Sequence, residues 1–375
     1  LSEDEAVALA LWNSPEFGST LATLGLARAD LQDAGFLRNP ILSFLFPLGP
    51  KQLEFTLNWP VEAIWQRPRR VAAAINIPHY IMNFERQFEE HVVSNFVAEY
   101  ASGRTPLPCA RCNSDLKFAT LAERAQSFGA DRVATGHYAR VERDQATGRY
   151  LLKRGVDGAK DQAYFLFALT QDQLAQALFP VGDRPKEAVG DWSKDHVRDY
   201  ARAHRLPVAD KPDSQEICFI PGNDYKAFVT REAPGLARGG PIVDETGEVL
   251  GAHEGIHRFT VGQRKGLGLA RSTAAPLYVL AIDPSHRQVT VGPKASLERT
   301  ALTASAVNWI LEEPQEPLRV AAQIRHRHQA APATVRARAG RRAEVVFDAP
   351  QIAITPGQAV VFYDGDAVVG GGWID

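Results

Sequence analysis

The chain has 375 residues, 45% hydrophobic and 23% charged, which is enough apolar material for two or three ordinary globular domains. Its 42 lysines and arginines against 44 aspartates and glutamates leave a net charge of −2. That excludes a general attraction to polyanions and confines any nucleic-acid surface to a local basic cluster. Three cysteines exclude a disulfide framework and suit a reducing cytoplasm in which thiols stay available for chemistry. No apolar run reaches the roughly eighteen residues of a transmembrane helix, and no signal peptide opens the chain. A cytoplasmic protein is expected, with no membrane partner for residues 75–375. The chain starts at Leu1 and its only methionine is Met82, so Leu1 is read as a fragment end, a processed end or a joined reading frame rather than a natural start.

Ser2 to Ala34 reads as helix, with a capping box at Ser2 and Glu5 and a leucine-rich run through Leu9, Leu21, Leu24 and Leu31, punctuated by Pro15 and Gly35. After Asn39-Pro40 the period becomes two: Leu53, Phe55, Leu57 and Trp59 alternate with Glu54, Thr56 and Asn58, which predicts a strand. From Ile75 the text changes. A strand over Ile77–Met82 feeds a helix whose inner stripe is Phe88, Val92, Phe96 and Tyr100, ended by Gly103. A loop PLPCARCN follows, then a helix with Leu116, Leu121 and Ala125 inward and Gly129 at its end, then a strand over Arg132–Thr135. That order predicts α/β structure. Further helices are expected to start at the caps Thr170, with Gln173 three residues on, and Ser193. Beyond Asp213, short apolar runs between turns such as Asp244–Gly247, Gly266–Gly268 and Gly370–Gly372 predict β-rich structure.

Cys109 and Cys112 form a CxxC just before a helix, where the helix N-terminus lowers thiol pKa and favours thiolate. A structural zinc site needs four ligands, and no second CxxC or close histidine pair supplies them. A thioredoxin-like pair belongs after the first strand of a compact βαβ unit, and two inert buried thiols are the third reading. Cys218 sits in the polar stretch DKPDSQEICFIPGNDY, where a buried structural cysteine is out of place. Two separated reactive thiols suggest a sulfur relay, one carrying a persulfide and the other resolving it as a disulfide. GADRVATGHYARV puts Gly136, His137 and Tyr138 at the carboxyl end of a strand, where α/β sheets bind ligands, although a satisfied turn reads the same. Lys160, Asp161 and Gln162, before the apolar YFLFAL, read in isolation as a solvated turn. The densest basic cluster is Arg325, His326, Arg327 and His328, followed by Arg336, Arg338, Arg341 and Arg342. Strand alternation would put several of these on one face able to neutralise phosphates, or simply on a solvated face.

Taken together, GRTPLPCARCNSDLKF, GADRVATGHYARV, KDQAYFLFALTQDQL, LPVADKPDSQEICFIPGNDY, HEGIHRFTVGQRKGLG and TPGQAVVFYDGDAVVGGGWI resemble the tRNA-specific 2-thiouridylases, in that family's order, over Arg69–Asp375. The resemblance implies a truncated α/β domain of adenine-nucleotide hydrolase type with a parallel sheet (74–213), a small β-rich central domain (214–297) and a carboxyl-terminal β-barrel (298–375). It implies ATP-dependent replacement of the 2-oxygen of a wobble uridine by sulfur, with ATP, tRNA and a sulfur-donor protein as partners. Cys112 matches the nucleophile, and Cys218 the cysteine that carries the persulfide before both end as a disulfide. Leu107, Pro108 and Cys109 match the stretch that touches the target base. The family commonly has asparagine where this chain has Leu107, so base recognition is expected to be altered. Gly136 matches an ATP contact; His137, the stretch Lys160, Asp161 and Gln162, and Arg325, His326 and Gln358 match tRNA contacts.

Residues 1–73 are of a different type. LSEDEAVALALWNSPEF, LARADLQDAGFLRNPILSF and LEFTLNWPVEAIWQRPRRVAAA resemble the start of an outer-membrane efflux factor, a helix leading to strands. An envelope role is disfavoured because a barrel cannot close on two or three strands. The thiouridylase phosphate loop, SGGVDS, is absent from the sequence; Phe17-Gly18-Ser19-Thr20 and Arg238-Gly239-Gly240 lack its pattern. Weakened adenylation is therefore expected. The alternatives are a non-catalytic tRNA-binding or sulfur-accepting remnant, or a chimeric chain joined at RRVAAA, residues 69–74.

Overall fold

A computed structural model of the chain describes residues 41–45 and 54–58 as backbone, and 82–183, 202, 217–220, 222, 224–269 and 275–375. The expected helix over Ser2–Ala34, nearly all of the strand over Ile77–Met82, the junction at 69–74 and the helix from Ser193 lie outside the described residues. The chain divides into two units, Leu1–Asn83 with Lys186–Asp213, and Phe84–Pro185 with Ser214–Asp375. In the first, β1 (Ile41–Leu45) and β2 (Glu54–Asn58) pair antiparallel, Ile41 opposite Asn58 and Leu45 opposite Glu54. The strand lies where the period-two text predicts it.

The second unit begins with α1, which runs as α-helix over Glu85–Phe88, π-helix over Glu89–Val93 and α-helix over Ser94–Ala101. The predicted stripe is its inner face: Val92, Phe96 and Tyr100 are buried and Phe88 packs against the same cluster. Gly103, at φ +68°, ends it in the left-handed region, and a Cβ there would lie 2.9 Å from Ile282. The next helix, α2, departs from expectation. PLPCARCN is not a loop: α2 starts at Pro108, winds as α-helix over Pro108–Arg111, π-helix over Cys112–Thr120 and α-helix over Leu121–Ser127. Pro108 sits in the first turn, where its missing N–H costs nothing, so proline here opens the helix instead of barring it. The π winding turns a different face inward. Asn113, Leu116, Phe118 and Ala122 are buried, whereas Leu121 and Ala125 are only half-buried.

A short parallel pair follows, β3 (Val133–Ala134) with β6 (Ala177–Leu178). Before β6 comes α3 (Gln171–Gln176), with the predicted capping box. The Gln173 N–H donates to Thr170 Oγ1 at 3.3 Å and the Thr170 N–H to Gln173 Oε1 at 3.0 Å. Between β3 and α3, β4 (Ala139–Arg143) and β5 (Tyr150–Arg154) form a hairpin that adds to the carboxyl-terminal sheet, with Lys153 opposite Ala367.

The stretch after 213 is β-rich, as predicted, but it also holds a helix, α4 (Tyr225–Glu232), whose cap Asp224 accepts from the Ala227 N–H at 3.0 Å. Four strands follow, β7 (Gly240–Val243), β8 (Val249–His253), β9 (Tyr278–Asp283) and β10 (Gln288–Gly292), in the order β8-β7-β10-β9 over a core of Ile242, Phe259, Val279, Val289 and Val291. The carboxyl-terminal strands are β11 (Glu298–Trp309), β12 (Leu318–Gln323), β13 (Ala331–Arg338), β14 (Arg342–Ile352), β15 (Ala359–Asp364) and β16 (Ala367–Ile374). They run β11-β14-β13-β12-β15-β16, and a β11–β16 pairing closes the ring. One core fills the barrel with Val320, Val335, Val345 and Phe362. A second lies between barrel and α/β part: Leu107, Ala110, Phe118, Leu152 and Tyr164 meet Ala359, Val361, Tyr363 and Trp373. Each large side chain buried there stabilises the joint by roughly 1.5–3 kcal/mol.

Candidate thiol site and nucleic-acid interface

The first turns of α2 carry two thiols. Pro108 and Ala110 are buried and fix which face of the helix looks inward, leaving Cys109 exposed and Cys112 half-buried. The third comes from the turn 217–220. Phe219 meets Phe88, Phe96 and Phe228 edge-on at 5.4, 5.3 and 5.4 Å, and Ile220 is buried, so the turn is pinned into the α1–α4 cluster and Cys218 stands exposed between its anchors. All three thiols are free. Cys218 lies close enough for its charge to act on both Cys109 and Cys112. Two distant segments of sequence thus converge on one site.

The electrostatics correct the expectation of a lowered thiol pKa. Burial is the largest influence on Cys109 and on Cys112 and pushes both up, and the neighbouring Cys218 pushes the same way. Cys109 presents area to solvent, yet protein crowds its sulfur on the other sides. The opposing influence is the Lys117 ammonium, which draws both thiols back down and ranks second only to burial at Cys112. Among the described residues, no group of three or more His, Cys, Asp or Glu side chains could hold a metal ion.

Gly136, His137 and Tyr138 follow β3 after Thr135. Gly136 is exposed and a Cβ there would meet open space, so the strand end is accessible. His137 is packed against Phe118 and Phe179 at 6.2 and 5.9 Å between ring centres, with Nδ1 2.8 Å from Thr135 Oγ1. Burial, with Lys117 adding to it, depresses its pKa to about 4, so the ring is neutral at physiological pH. The 160–162 stretch is not a solvated turn. Gln162 exchanges two hydrogen bonds with the Tyr138 backbone, at 2.9 and 3.1 Å, and Asp161 accepts from the N–H groups of Gly155 and Ala163 at 3.0 and 3.1 Å while facing Arg154 at 3.5 Å. Only Lys160 is left exposed, its ammonium 5.0 Å from the centre of the Tyr138 ring.

The carboxyl-terminal candidates sit against these same segments. The His326 ring lies 4.6 Å from that of Phe165, and the Asp161 carboxylate acts on it electrostatically, which brings the 160–162 and 325–326 stretches to one place. Arg325 donates to the Ile352 carbonyl at 3.1 Å. Gln358 Nε2 donates to the carbonyls of Thr105 and Pro106 at 3.1 and 3.2 Å, immediately before Leu107, Pro108 and Cys109. Leu107 and Pro108 are themselves buried, so of those three only Cys109 reaches the surface.

The basic cluster does not form one strand face. Arg325 to His328 lie in the turn after β12. Arg336 and Arg338 do share the exposed side of β13, but Arg338 pairs with Glu344 at 2.6 Å and Arg342 with Asp375 at 2.9 Å. Sequence reasoning missed Lys117, because at helical spacing it points away from Cys112, and missed the Phe165 ring beneath His326, because YFLFAL reads as core.

Three family models match: the tRNA methyl transferase HUP domain over residues 50–222, the tRNA methyl transferase PRC-barrel domain over 226–293 and the aminomethyltransferase beta-barrel domain over 299–374. The tRNA-specific 2-thiouridylase MnmA of Solibacter usitatus is 54% identical over 316 residues, 82% of this chain and 82% of that protein. Those of Geotalea uraniireducens and Acidobacterium capsulatum are each 51% identical, over 307 and 318 residues, with 82% of this chain and 79% and 82% of the relative covered.

Proposed function

Since the chain belongs to the tRNA-specific 2-thiouridylase family, we propose that it is a sulfurtransferase that replaces the 2-oxygen of the wobble uridine in tRNA by sulfur, with Cys112 and Cys218 as the working thiols. The observation that carries this reading is the convergence of α2 and the 217–220 turn, which sets Cys218 within electrostatic reach of Cys112. The domain division 74–213, 214–297 and 298–375 belongs to the same proposal.

The chemistry is coherent with these groups. A uridine carbonyl is a poor electrophile, and transfer of AMP from ATP to its oxygen, with loss of pyrophosphate, makes that oxygen a leaving group. Cys218 takes a sulfane sulfur from a donor protein. The terminal sulfur of that persulfide attacks C2 and AMP departs with the oxygen, leaving Cys218 joined to the base through two sulfurs. The Cys112 thiolate then attacks the Cys218 sulfur, the thiocarbonyl sulfur leaves with the electron pair on the base, and the two cysteines end oxidised as a disulfide that an external thiol must reduce. Gly136 offers an unobstructed strand end for the nucleotide. Lys160, His137, Arg325 and His326 contact the tRNA in this reading, while Asp161, Gln162 and Gln358 support it through the backbone. With no SGGVDS string in the sequence, adenylation by the chain alone is weak. A cytoplasmic location completes the proposal; among the described residues no helix is long and apolar enough to cross a membrane.

The test combines sulfur loading with turnover. Incubated with a cysteine desulfurase and cysteine, the chain is expected to gain one sulfane sulfur that Cys218→Ser abolishes and Cys112→Ser retains. Its ATP-dependent thiolation of tRNA is expected far below that of a relative carrying the phosphate loop. Loading that ignores Cys218 overturns the relay, and thiolation at the relative's rate overturns the weakened adenylation. tRNA binding and sulfur loading with no thiolation at all would favour the remnant reading, and a break in the genomic DNA across the codons for residues 69–74 would favour a chimera.

A further inference from the structure

We infer that Lys117 is a positioning residue of the thiol site, its ammonium placed by the π winding of α2 to hold the negative charge of the Cys112 sulfur. The inference rests on the reading of Cys112 as a working thiol. In an α-helix, at 3.6 residues per turn, position i+5 lies about 140° round the axis from i. In a π-helix, at about 4.4 residues per turn, position i+5 lies only about 50° from i, and Cys112 and Lys117 both fall in the π segment Cys112–Thr120. An i+5 contact seen directly in this segment, the Thr120 hydroxyl donating to the Asp115 carbonyl at 3.2 Å, reflects the same winding.

The surroundings leave this cation available. Lys117 makes no ion pair among the described residues, and its charge acts on Cys109, Cys112 and His137 alike. Asp115, the nearest acid on α2, works against a Cys112 thiolate but is itself faced by Arg111 at 3.9 Å. From the other elements packed on this helix come Arg86 and Glu90, paired with each other at 3.2 Å, exposed Glu85, Glu89 and His91, and no charge from the turn Ala163–Leu166. Cys218 adds a like charge when ionised. Against burial and these acids, Lys117 is the group that favours the anionic Cys112 sulfur that attacks Cys218 in the resolving step.

The experiment uses the full chain carrying Cys109→Ser and Cys218→Ser, so that Cys112 alone reacts, and follows its alkylation by iodoacetamide from pH 6 to 11 with lysine, Arg, Gln or Met at position 117. The midpoint is expected to rise with Lys117→Met and Lys117→Gln, slowing alkylation at neutral pH by about 3- to 10-fold, while Lys117→Arg stays within about 2-fold of the parent. On the lysine-bearing protein itself, 1 M salt is expected to raise the midpoint by screening the pair. Superimposable profiles for the lysine, Met and Gln proteins overturn the inference, as does a parent profile indifferent to salt, and so does Lys117→Arg behaving like Met. Alkylation needs neither ATP nor tRNA, so this outcome is separate from that of the sulfur-loading test on which the role of Cys112 depends.

Discussion

At the scale of single residues, His137 shows how little of a side chain's state is written locally. Its place at a strand end was legible in GADRVATGHYARV, but its neutrality arises from Phe118 on α2 and Phe179 after β6, and from the Lys117 charge. No local pattern joins those segments. Folding lowers the His137 pKa from 6.5 to about 4, so between those values the unfolded chain binds the extra proton and the folded one does not. The stability held by the neutral ring is complete above pH 6.5 and is lost as pH falls toward 4. Allowing for the ring's remaining solvation, the loss is on the order of 2 kcal/mol. His137→Gln is expected to flatten that part of the stability–pH curve in urea denaturation, and the imidazole protons are expected to titrate near pH 4 by NMR. A His137 titration near 6.5 would contradict the burial argument. The thiols carry the same lesson: a CxxC is visible in the text, but the crowding that pushes both sulfurs up comes from the fold.

At the scale of elements, the start of α2 is held by the barrel. Gly357 approaches Thr105 so closely, at φ +87°, that a Cβ would lie 2.8 Å from the Thr105 oxygen and 2.9 Å from its nitrogen. The Thr105 N–H donates to the Pro356 carbonyl at 2.8 Å, and Gln358 next door binds the two carbonyls of Thr105 and Pro106. Gly357→Ala therefore meets both a left-handed backbone and a collision with main chain, for an expected cost of about 2–4 kcal/mol in a thermal or urea melt. Gln358→Ala leaves the carbonyls of half-buried Thr105 and buried Pro106 without that donor, for about 1–2 kcal/mol, with faster amide exchange concentrated at residues 104–110. Loss confined to the barrel would contradict the clasp. The clasp was not readable beforehand, since nothing in TPGQ points to PLPC. The α2 boundary departs from the expected loop for a local reason: two prolines in four residues look like a loop, whereas the second occupies the one helical turn that tolerates it. The π winding leaves no signature in a hydrophobic pattern counted at 3.6, and that count puts Leu121 and Ala125 inside in preference to Ala122.

At the scale of the whole molecule, the order of α/β and β-rich parts was legible from composition and turns, because those patterns are local. The addition of β4 and β5 to the barrel sheet was not, since it rests on a contact between Lys153 and Ala367 that no neighbouring text predicts. Charge behaves similarly. With a net charge of −2 spread over the chain, phosphate binding depends on which cations lack an acid beside them, and that is a property of the fold. On the described surface, Arg319, Arg338 and Arg342 face Asp348, Glu344 and Asp375, whereas Lys160, Arg325 and Arg327 have no carboxylate partner among the described residues. Counterion release then assigns the salt dependence to the second group, because a cation already neutralised by a carboxylate releases few counterions from the nucleic acid. Each phosphate contact steepens the plot of log K against log salt by about 0.7–0.9. Replacing Arg325 and Arg327 together by alanine is expected to make the slope for tRNA shallower by about 1.5, while Arg338→Ala changes it by less than about 0.5. Filter binding between 50 and 200 mM KCl checks both. An Arg338→Ala effect as large as that of the turn arginines would mean that the strand face, and not the turn beside His326, meets the phosphates.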